Sequence, residues 1–254
     1  MAQYIEAIVS PFLALMRQRI SVNALPAFAT RTLRRLLHAP CMVCNRSVSG
    51  AELCPTCAST LNRTPWGVAS LSLGSDSIPV LWREPYGGLL TEAVYRAKYH
   101  GDWGTARLLG GCLGRLPRPW LGHDPVVIPV PLSGKRLAGR GYNQSLVMAR
   151  QAARLWRLDV KALWLDKTRD TARQATLAQS GREENLSGSV RGSKKLDNRR
   201  VILIDDIMTT GATLREAARA VGASGGHVIA AAVIAHVPRR SRPIPHARTP
   251  QPHV

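Results

Sequence analysis

The run VILIDDIMTTGAT, residues 201–213, constrains the fold of this chain more than any other segment. Its four leading apolar residues predict a fully buried strand of a parallel sheet, and two adjacent acids, Asp205 and Asp206, follow where that strand should end. A turn rich in threonine then runs into a helical stretch over Leu214–Val221. The run therefore predicts an open α/β sheet with polar residues at the carboxyl end of a strand, where such sheets bind ligands.

The residue types in this run suit a ligand that carries both a phosphate and a diol. The start of a helix offers N–H groups and a positive dipole end to an anion, and threonine hydroxyls add donors. Asp205 and Asp206 repel phosphate but accept hydrogen bonds from neutral hydroxyls. The run predicts a ribose phosphate; the alternative is a buried strand followed by an acidic helix cap, with no ligand.

These residues resemble the motif with which type I phosphoribosyltransferases bind 5-phosphoribosyl-1-pyrophosphate (PRPP). That motif is an apolar strand, two acids and then T-T-G-x-T. The resemblance implies that Asp205 and Asp206 contact the ribose hydroxyls. It also implies that the 5′-phosphate is held by a set of turn residues, namely Thr209, Thr210, Gly211, Ala212 and Thr213.

Four of the five cysteines form two C-x-x-C pairs near the start of the chain: Cys41, Cys44, Cys54 and Cys57. Two such pairs supply four thiolates, which is the ligand set of a closed, structural zinc site. The alternatives are two disulfides, an iron–sulfur cluster or a redox pair. We predict a zinc knuckle over residues 40–63, folded by its metal because the segment is too short to bury a core.

The formal net charge of +19 and the pI of about 11.1 favour polyanionic partners, either nucleic acid or phosphorylated ligands. Aromatic residues make up only 5% of the chain, so a base-stacking platform is not evident in the sequence. No apolar run reaches the roughly 18 residues that a membrane span needs. The first forty residues lack the pattern of a signal peptide, which predicts a cytoplasmic protein.

Two basic segments precede the PRPP-like run. Lys98 lies near the end of a predicted helix, where its charge suits either the helix dipole or a phosphate. A predicted strand over Val126–Val130 leads into a glycine-containing loop with Lys135, Arg136 and Arg140. Cations beside a strand end suit a pyrophosphate, and the alternative is a solvated basic loop.

A third polar segment lies between those residues and the PRPP-like strand. It has the composition of a mobile lid or of an ordinary surface loop. Its candidate lid residues are Arg169, Gln174, Arg182 and Asn185.

Taken in order, these pieces resemble the ComF family, which includes the GntX-like proteins. The resemblance runs from Cys41 to about Val237. One departure is Val190, where the family more often has an aromatic residue. The resemblance implies a PRPP-binding protein that serves DNA uptake in natural transformation and transfers a phosphoribosyl group to an unknown nitrogen acceptor. Magnesium would accompany PRPP, and the catalytic residues would be Asp205, Asp206, Lys135, Arg136 and Arg140.

The alternative function is a non-catalytic adaptor that binds single-stranded DNA or a helicase-like partner, and uses PRPP only as a ligand or not at all. The predicted organisation is a helical extension (1–39), the knuckle (40–63), a phosphoribosyltransferase-like domain (76–237) and a disordered basic tail (238–254). Alternating strands and helices predict a doubly wound, mainly parallel sheet. The strands are expected near Val80 and over Val126–Val130, Ala162–Leu165, Val201–Ile204 and Val228–Ile234. The helices are expected around Leu89–Lys98, Thr105–Leu116, Gln144–Trp156 and Leu214–Val221.

Overall fold

A computed structural model describes residues 38–49, 52–117, 124–168 and 188–238. Three predicted features fall outside these ranges. They are most of the helical extension (1–37), the basic tail from residue 239, and the candidate lid residues Arg169, Gln174, Arg182 and Asn185.

The main sheet has six strands: β3 (Gly67–Leu73), β4 (Asp76–Pro85), β5 (Val126–Pro129), β8 (Arg200–Ile204), the short β9 (Ile207–Met208) and β10 (His227–His236). The central path of the sheet runs β3-β4-β10-β8-β5. β4, β10, β8 and β5 are parallel neighbours, β9 pairs with β10, and β3 is antiparallel to β4. The mainly parallel sheet predicted from the sequence is confirmed, and β3 adds an edge strand that the sequence reasoning missed.

Five helices are associated with this sheet: α2 (Leu89–Tyr99), α3 (Trp103–Gly114), α4 (Gly134–Arg140), α5 (Gln144–Trp156) and α6 (Ala212–Gly222). The predicted helices match α2, α3, α5 and α6 in place, and α5 in both bounds. α4 corrects the sequence expectation of a loop. Its lysine, arginine, leucine and alanine favour helix, and Gly141 ends it in a left-handed conformation (φ 75°).

Alternating residues of the central strands place apolar side chains on both faces of the sheet. On one face Ile202 and Ile204 of β8 pack in a cluster with residues of α2, α3 and α5. On the other face Val201 and Leu203 pack in a cluster with α6. Parallel strands with helices on both sides have no solvent-facing surface, which explains the continuous apolar sequence of β8.

A two-stranded antiparallel ribbon lies apart from the main sheet, formed by β6 (Leu165–Lys167) and β7 (Val190–Gly192). This corrects the strand expected over Ala162–Leu165, because residues 162–164 form a turn and the strand begins at Leu165. Val190 is buried in the ribbon, and its N–H donates to Glu216 of α6 at 3.0 Å. The smaller residue at position 190 is therefore part of the core.

The cysteine-rich segment contains a short hairpin, β1 (His38–Pro40) and β2 (Ser47–Ser49), and the helix α1 (Pro55–Arg63). Three of its cysteines and Leu61 belong to the same apolar cluster as α2 and α3, whereas Cys44 is exposed; the three are Cys41, Cys54 and Cys57. Arg83 of β4 donates to the carbonyls of Leu61 and Thr64 at the end of α1. None of the helices in the described ranges is long and apolar enough to cross a membrane.

Candidate functional site

The acid pair lies at the carboxyl end of β8, as the sequence predicts, but its two members have different surroundings. Asp206 is 5% exposed, and both of its carboxylate oxygens are engaged. Lys98 Nζ lies 2.8 Å from Oδ1, Gln144 Nε2 donates to Oδ2 at 2.7 Å, and the N–H of Ile207 donates to Oδ1 at 2.7 Å. Asp206 is thus held inside the protein by a cation, an amide and a backbone donor.

Asp205 is half-buried and has weaker partners. Its Oδ1 accepts from Ser145 Oγ at 3.2 Å and from the N–H of Asp206 at 2.9 Å. Burial, and next the neighbouring carboxylate of Asp206, raise the pKa of Asp205 to about 7. A carboxylate has about four lone-pair sites, so Asp205 keeps acceptors for the hydroxyls of a diol beside these two hydrogen bonds.

Lys98 reaches the acid pair because α2 is fixed at its start. Glu84, a buried carboxylate at the end of β4, accepts from the N–H groups of Leu90 at 2.6 Å and Thr91 at 3.0 Å. These are donors that the first turn of a helix leaves without helical partners. Gly88 is required beside them, because a Cβ there would lie 2.7 Å from the Glu84 carboxylate.

The other two partners of the acids begin α5. Asn143 caps this helix by accepting from the N–H of Ser145 at 2.9 Å, and its own amide donates to the carbonyl of Val130 at 3.1 Å. The cap places Gln144 and Ser145, the first two residues of α5, against Asp206 and Asp205. The positive end of the α5 dipole therefore faces the two carboxylates.

The threonine turn lies where it is predicted, between β9 and α6. Gly211 directly precedes α6 with φ 79°, and a Cβ on it would lie 2.5 Å from a methyl of Leu71. Both the backbone angle and the space favour glycine. Thr209 is exposed, and Thr210 and Thr213 are half-buried. The turn can present hydroxyls and the N–H groups of α6 to an anion.

The three predicted pyrophosphate cations lie on α4. Lys135 is exposed, and Arg136 and Arg140 are half-buried. Arg140 Nη1 donates to Gln144 Oε1 at 3.0 Å, and its guanidinium lies 5.5 Å from the ring centre of Tyr99. Arg140 is therefore joined to Asp206 through the Gln144 amide, so the structure brings one of the three cations into the hydrogen-bond network of the acids.

Three site residues were missed or misread in the sequence. Lys98 binds Asp206, whereas the sequence reasoning offered the helix dipole or a phosphate. Gln144 and Ser145 had no assigned role. The only sequence signal for them is the Asn143 cap that precedes them, which predicts the start of a helix but not what its first residues touch.

The four predicted cysteine ligands meet in one cluster, with their Sγ atoms all within 4.8 Å of one another. Cys44 Sγ lies 3.7 Å from Cys54 Sγ. Four thiolates around zinc at about 2.3 Å place neighbouring sulfurs roughly 3.8 Å apart, so the cluster fits that geometry. The cysteines are free thiols, not disulfides.

Backbone N–H groups donate hydrogen bonds to sulfur atoms of this cluster, which favours thiolates that can bind a cation. The N–H of Cys54 donates to Cys41 Sγ at 3.3 Å, and that of Cys57 to Cys54 Sγ at 3.4 Å. Burial opposes ionisation of Cys41, but backbone donors outweigh it and lower the pKa of this thiol to about 6. Burial raises the pKa of Cys57. Four thiolates at this separation require a bound cation, so the cluster can hold a metal ion such as zinc.

Comparison with known proteins gives a family match and curated relatives. The model of the phosphoribosyl transferase domain matches residues 123–248. Competence protein F of Haemophilus influenzae is 34% identical over 139 residues, which cover 52% of this chain and 60% of that protein. DNA utilization protein YhgH of Salmonella typhi is 27% identical over 196 residues, which cover 70% and 82%. YhgH of Shigella flexneri is 32% identical over 93 residues, so the chain spans about two fifths (41%) of that protein and 37% of its own length is matched.

Solved structures give more distant similarities. The glutamine PRPP amidotransferase of B. subtilis has a TM-score of 0.34 and 18% identity, covering 50% of this chain and 25% of that one. A purine phosphoribosyltransferase of Pyrococcus horikoshii has a TM-score of 0.27 and 15% identity, covering 64% and 94%. Both similarities are too distant to bear on individual site residues.

Proposed function

We propose that the chain is a phosphoribosyltransferase-fold protein of the ComF family, which binds PRPP with magnesium and serves DNA uptake; the match to the phosphoribosyl transferase domain and the similarity to Competence protein F support the family. The observation that carries the proposal is the arrangement at the end of β8. A half-buried carboxyl, Asp205, is followed by the Thr209–Thr213 turn at the start of the eleven-residue helix α6. The turn suits the 5′-phosphate and Asp205 suits the ribose hydroxyls.

In this proposal the two acids have different roles. Asp206 has both oxygens engaged by Lys98, Gln144 and Ile207, so it positions the strand end. Asp205 is the acid that meets the ligand. Mg²⁺ in proteins is usually bound by one or two carboxylates together with substrate phosphates. The half-buried carboxylate of Asp205 is a group of this kind, so the site fits a magnesium-bound ligand. Magnesium would neutralise charge on the pyrophosphate.

As an enzyme, the protein would displace pyrophosphate from C1 of the ribose by a nitrogen nucleophile. The C1–O bond to pyrophosphate breaks, the C1–N bond forms, and the nitrogen loses a proton. In the transition state, positive charge develops on the ribose and negative charge develops on the leaving pyrophosphate. Lys135, Arg136 and Arg140 would stabilise the leaving pyrophosphate, so catalysis would come from positioning and charge. A zinc ion in the cysteine cluster would be structural, since four thiolates leave no open position.

Calorimetry with PRPP and magnesium tests the binding proposal. We expect micromolar binding to the wild type and a loss of about tenfold or more in Asp205→Asn, because a charge-assisted hydrogen bond contributes about 1.5–3 kcal/mol. Asp76→Asn is the matched control, since Asp76 is an exposed acid at the amino end of β4, whereas Asp205 follows the carboxyl end of β8. Absence of heat at millimolar PRPP in folded, metal-loaded protein would overturn the proposal.

The second candidate is an adaptor that binds PRPP without turning it over, with single-stranded DNA or a helicase-like protein as partner. The net charge of +19 supports a polyanionic partner, and the three relatives reported above are named for competence or DNA utilization. The discriminating measurement is pyrophosphate release from bound PRPP in the presence of amine and nucleobase acceptors. Release with any acceptor supports the transferase, and binding without release supports the adaptor.

A further inference from the structure

Gln144 lies between the acid pair and the basic helix α4, and its amide contacts both. Its Nε2 donates to Asp206 Oδ2 at 2.7 Å, and its Oε1 accepts from Arg140 Nη1 at 3.0 Å. A carboxylate only accepts hydrogen bonds and a guanidinium only donates them, so these two partners fix which way the amide faces. The side chain of Gln144 is buried, so little water competes for either contact.

The turn between α4 and α5 brings these side chains together. Arg140 is the last residue of α4, and Gly141 ends that helix in the left-handed region. Asn143 then caps α5 and donates to the carbonyl of Val130, just beyond the end of β5. Gln144, the first residue of α5, is therefore fixed at the carboxyl edge of the sheet, beside the end of α4.

The amide of Gln144 separates two opposite charges that would otherwise attract each other. Arg140 keeps its positive charge at any physiological pH, and Asp206 is a buried carboxylate. Lys98 already lies 2.8 Å from Asp206, so this carboxylate has a cation without Arg140. A direct pair between Arg140 and Asp206 would use the charge of the arginine inside the protein and leave less of it for a ligand.

Arg140 is also held by a second contact, because its guanidinium lies 5.5 Å from the ring centre of Tyr99. A guanidinium has five N–H donors, and Gln144 takes one of them among the residues that the structure describes. The other donors suit the oxygens of a phosphate group, which arginine binds with two parallel hydrogen bonds. Holding the guanidinium before a ligand arrives lowers the cost of ordering it on binding.

We propose that Gln144 is a positioning residue of the ligand site, which holds Arg140 apart from Asp206 and so keeps its charge for the pyrophosphate group of the ligand. Ribose 5-phosphate lacks that group and does not use Arg140. Gln144 therefore acts on the affinity for pyrophosphate and leaves that for ribose 5-phosphate unchanged. The inference rests on the proposed PRPP site, and it adds the residue by which that site distinguishes the two ligands.

The test measures binding of inorganic pyrophosphate with magnesium, and separately of ribose 5-phosphate, by calorimetry on the full, metal-loaded chain. Gln144→Leu keeps the approximate size of the side chain but removes both hydrogen bonds. We expect it to lose about tenfold in affinity for pyrophosphate, the effect of about one hydrogen bond to a charged group, and to bind ribose 5-phosphate within about twofold of the wild type. Gln151→Leu is the matched control, since Gln151 is a half-buried glutamine of the same helix, and it should change neither affinity.

A double-mutant cycle separates positioning from a general loosening of the site. Arg140→Leu should also lose about tenfold for pyrophosphate, and the double variant should lose no more than Arg140→Leu alone, because Gln144 acts through Arg140. If Gln144→Leu does not fold, Gln144→Asn takes its place. Asparagine keeps an amide beside Asp206 but is one methylene shorter, so it cannot make both contacts, and the same selective loss is expected.

Three results would overturn the inference while the wild type binds both ligands. They are an unchanged affinity of the Gln144 variant for pyrophosphate, equal losses for pyrophosphate and ribose 5-phosphate, and additive losses in the double variant. A folded wild type that binds neither ligand would instead overturn the proposed PRPP site, and the inference with it.

Discussion

The buried ion pair between Lys98 and Asp206 supports a quantitative prediction about stability. Lys98→Met removes the ammonium group but keeps most of the apolar stem. The side chains of Lys98 and Asp206 are only 13% and 8% exposed, so water cannot replace the lost partner. The variant leaves an uncompensated carboxylate beside Asp205, and the folded state is destabilised.

The size of the expected destabilisation depends on the hydrogen bonds that Asp206 keeps in the variant. Removing one partner from a buried ion pair costs about 3–5 kcal/mol. Gln144 and the N–H of Ile207 still donate to the carboxylate, which places the expected loss at the lower end, about 3 kcal/mol. At about 2–4 °C per kcal/mol for a chain of this size, Tm should fall by about 6–12 °C. Asp206→Asn should cost a similar amount, because it leaves the ammonium unpaired.

A double-mutant cycle measured by urea unfolding checks this prediction. If the two groups interact, Lys98→Met/Asp206→Asn should lose about 3 kcal/mol rather than the sum of about 6, because neither uncompensated charge remains. The matched control is Lys161→Met/Asp159→Asn, an ion pair at 2.9 Å whose side chains are 32% and 77% exposed, where the coupling should be below about 1 kcal/mol. Additive losses at Lys98 and Asp206 would refute the pairing.

Three further outcomes are expected. Gly211→Ala should lower the free energy of unfolding by about 1–3 kcal/mol, because alanine is strained at φ 79° and meets Leu71. Gly222→Ala, which lies in open space at the end of α6, should leave that free energy unchanged in the same unfolding assay. Glu216→Gln should cost about 2 kcal/mol at pH 7. Burial disfavours the ionised carboxylate, but hydrogen bonds from Arg219 and from the N–H of Val190 outweigh this effect and lower the pKa of Glu216. The stability advantage of the wild type over Glu216→Gln, measured by unfolding at a series of pH values, is therefore full above the ordinary pKa of 4.5. The advantage is lost as the pH falls below that value. Chelation of metal from the cysteine cluster should lower Tm by more than either substitution, because metal binding supplies folding free energy; an unchanged Tm after confirmed metal loss would contradict this.

The sequence predicted the parts of the fold that are encoded locally. The strand before Asp205, the turn at Gly211 and the helix that follows are adjacent in the chain, and each has its own residue signal. The helix expected around Gln144–Trp156 matches α5 in both bounds, and the structure shows why it begins there, because the Asn143 side chain caps its start. The C-x-x-C pairs predicted the cluster of sulfurs because two tight turns need only approach each other.

The rest required the tertiary structure. Gln144 and Asp206 are 62 residues apart in sequence, and nothing near either residue points to the other. Tyr95 and Tyr99 lie four residues apart, so their spacing alone places both rings on one face of α2. The contact of Tyr95 with the hydroxyl of Tyr86, which lies in a turn, has no such signal. The antiparallel pairing of β7 with β6 has no local sequence signal, because the paired residues lie between 23 (Lys167 and Val190) and 27 (Leu165 and Gly192) positions apart across the polar segment.

The cysteine cluster and the acid pair are joined through α2. Arg96 donates to the carbonyl of Met42, inside the first C-x-x-C pair, at 3.1 Å, and also to Asp102 at 3.1 Å. Lys98, two residues further along the same helix, holds Asp206. Because a helix transmits displacement along its length, loosening of the cysteine segment shifts the ammonium that neutralises Asp206. A metal ion bound by the cysteines would therefore stabilise the geometry of the acid pair without contributing a group to its chemistry.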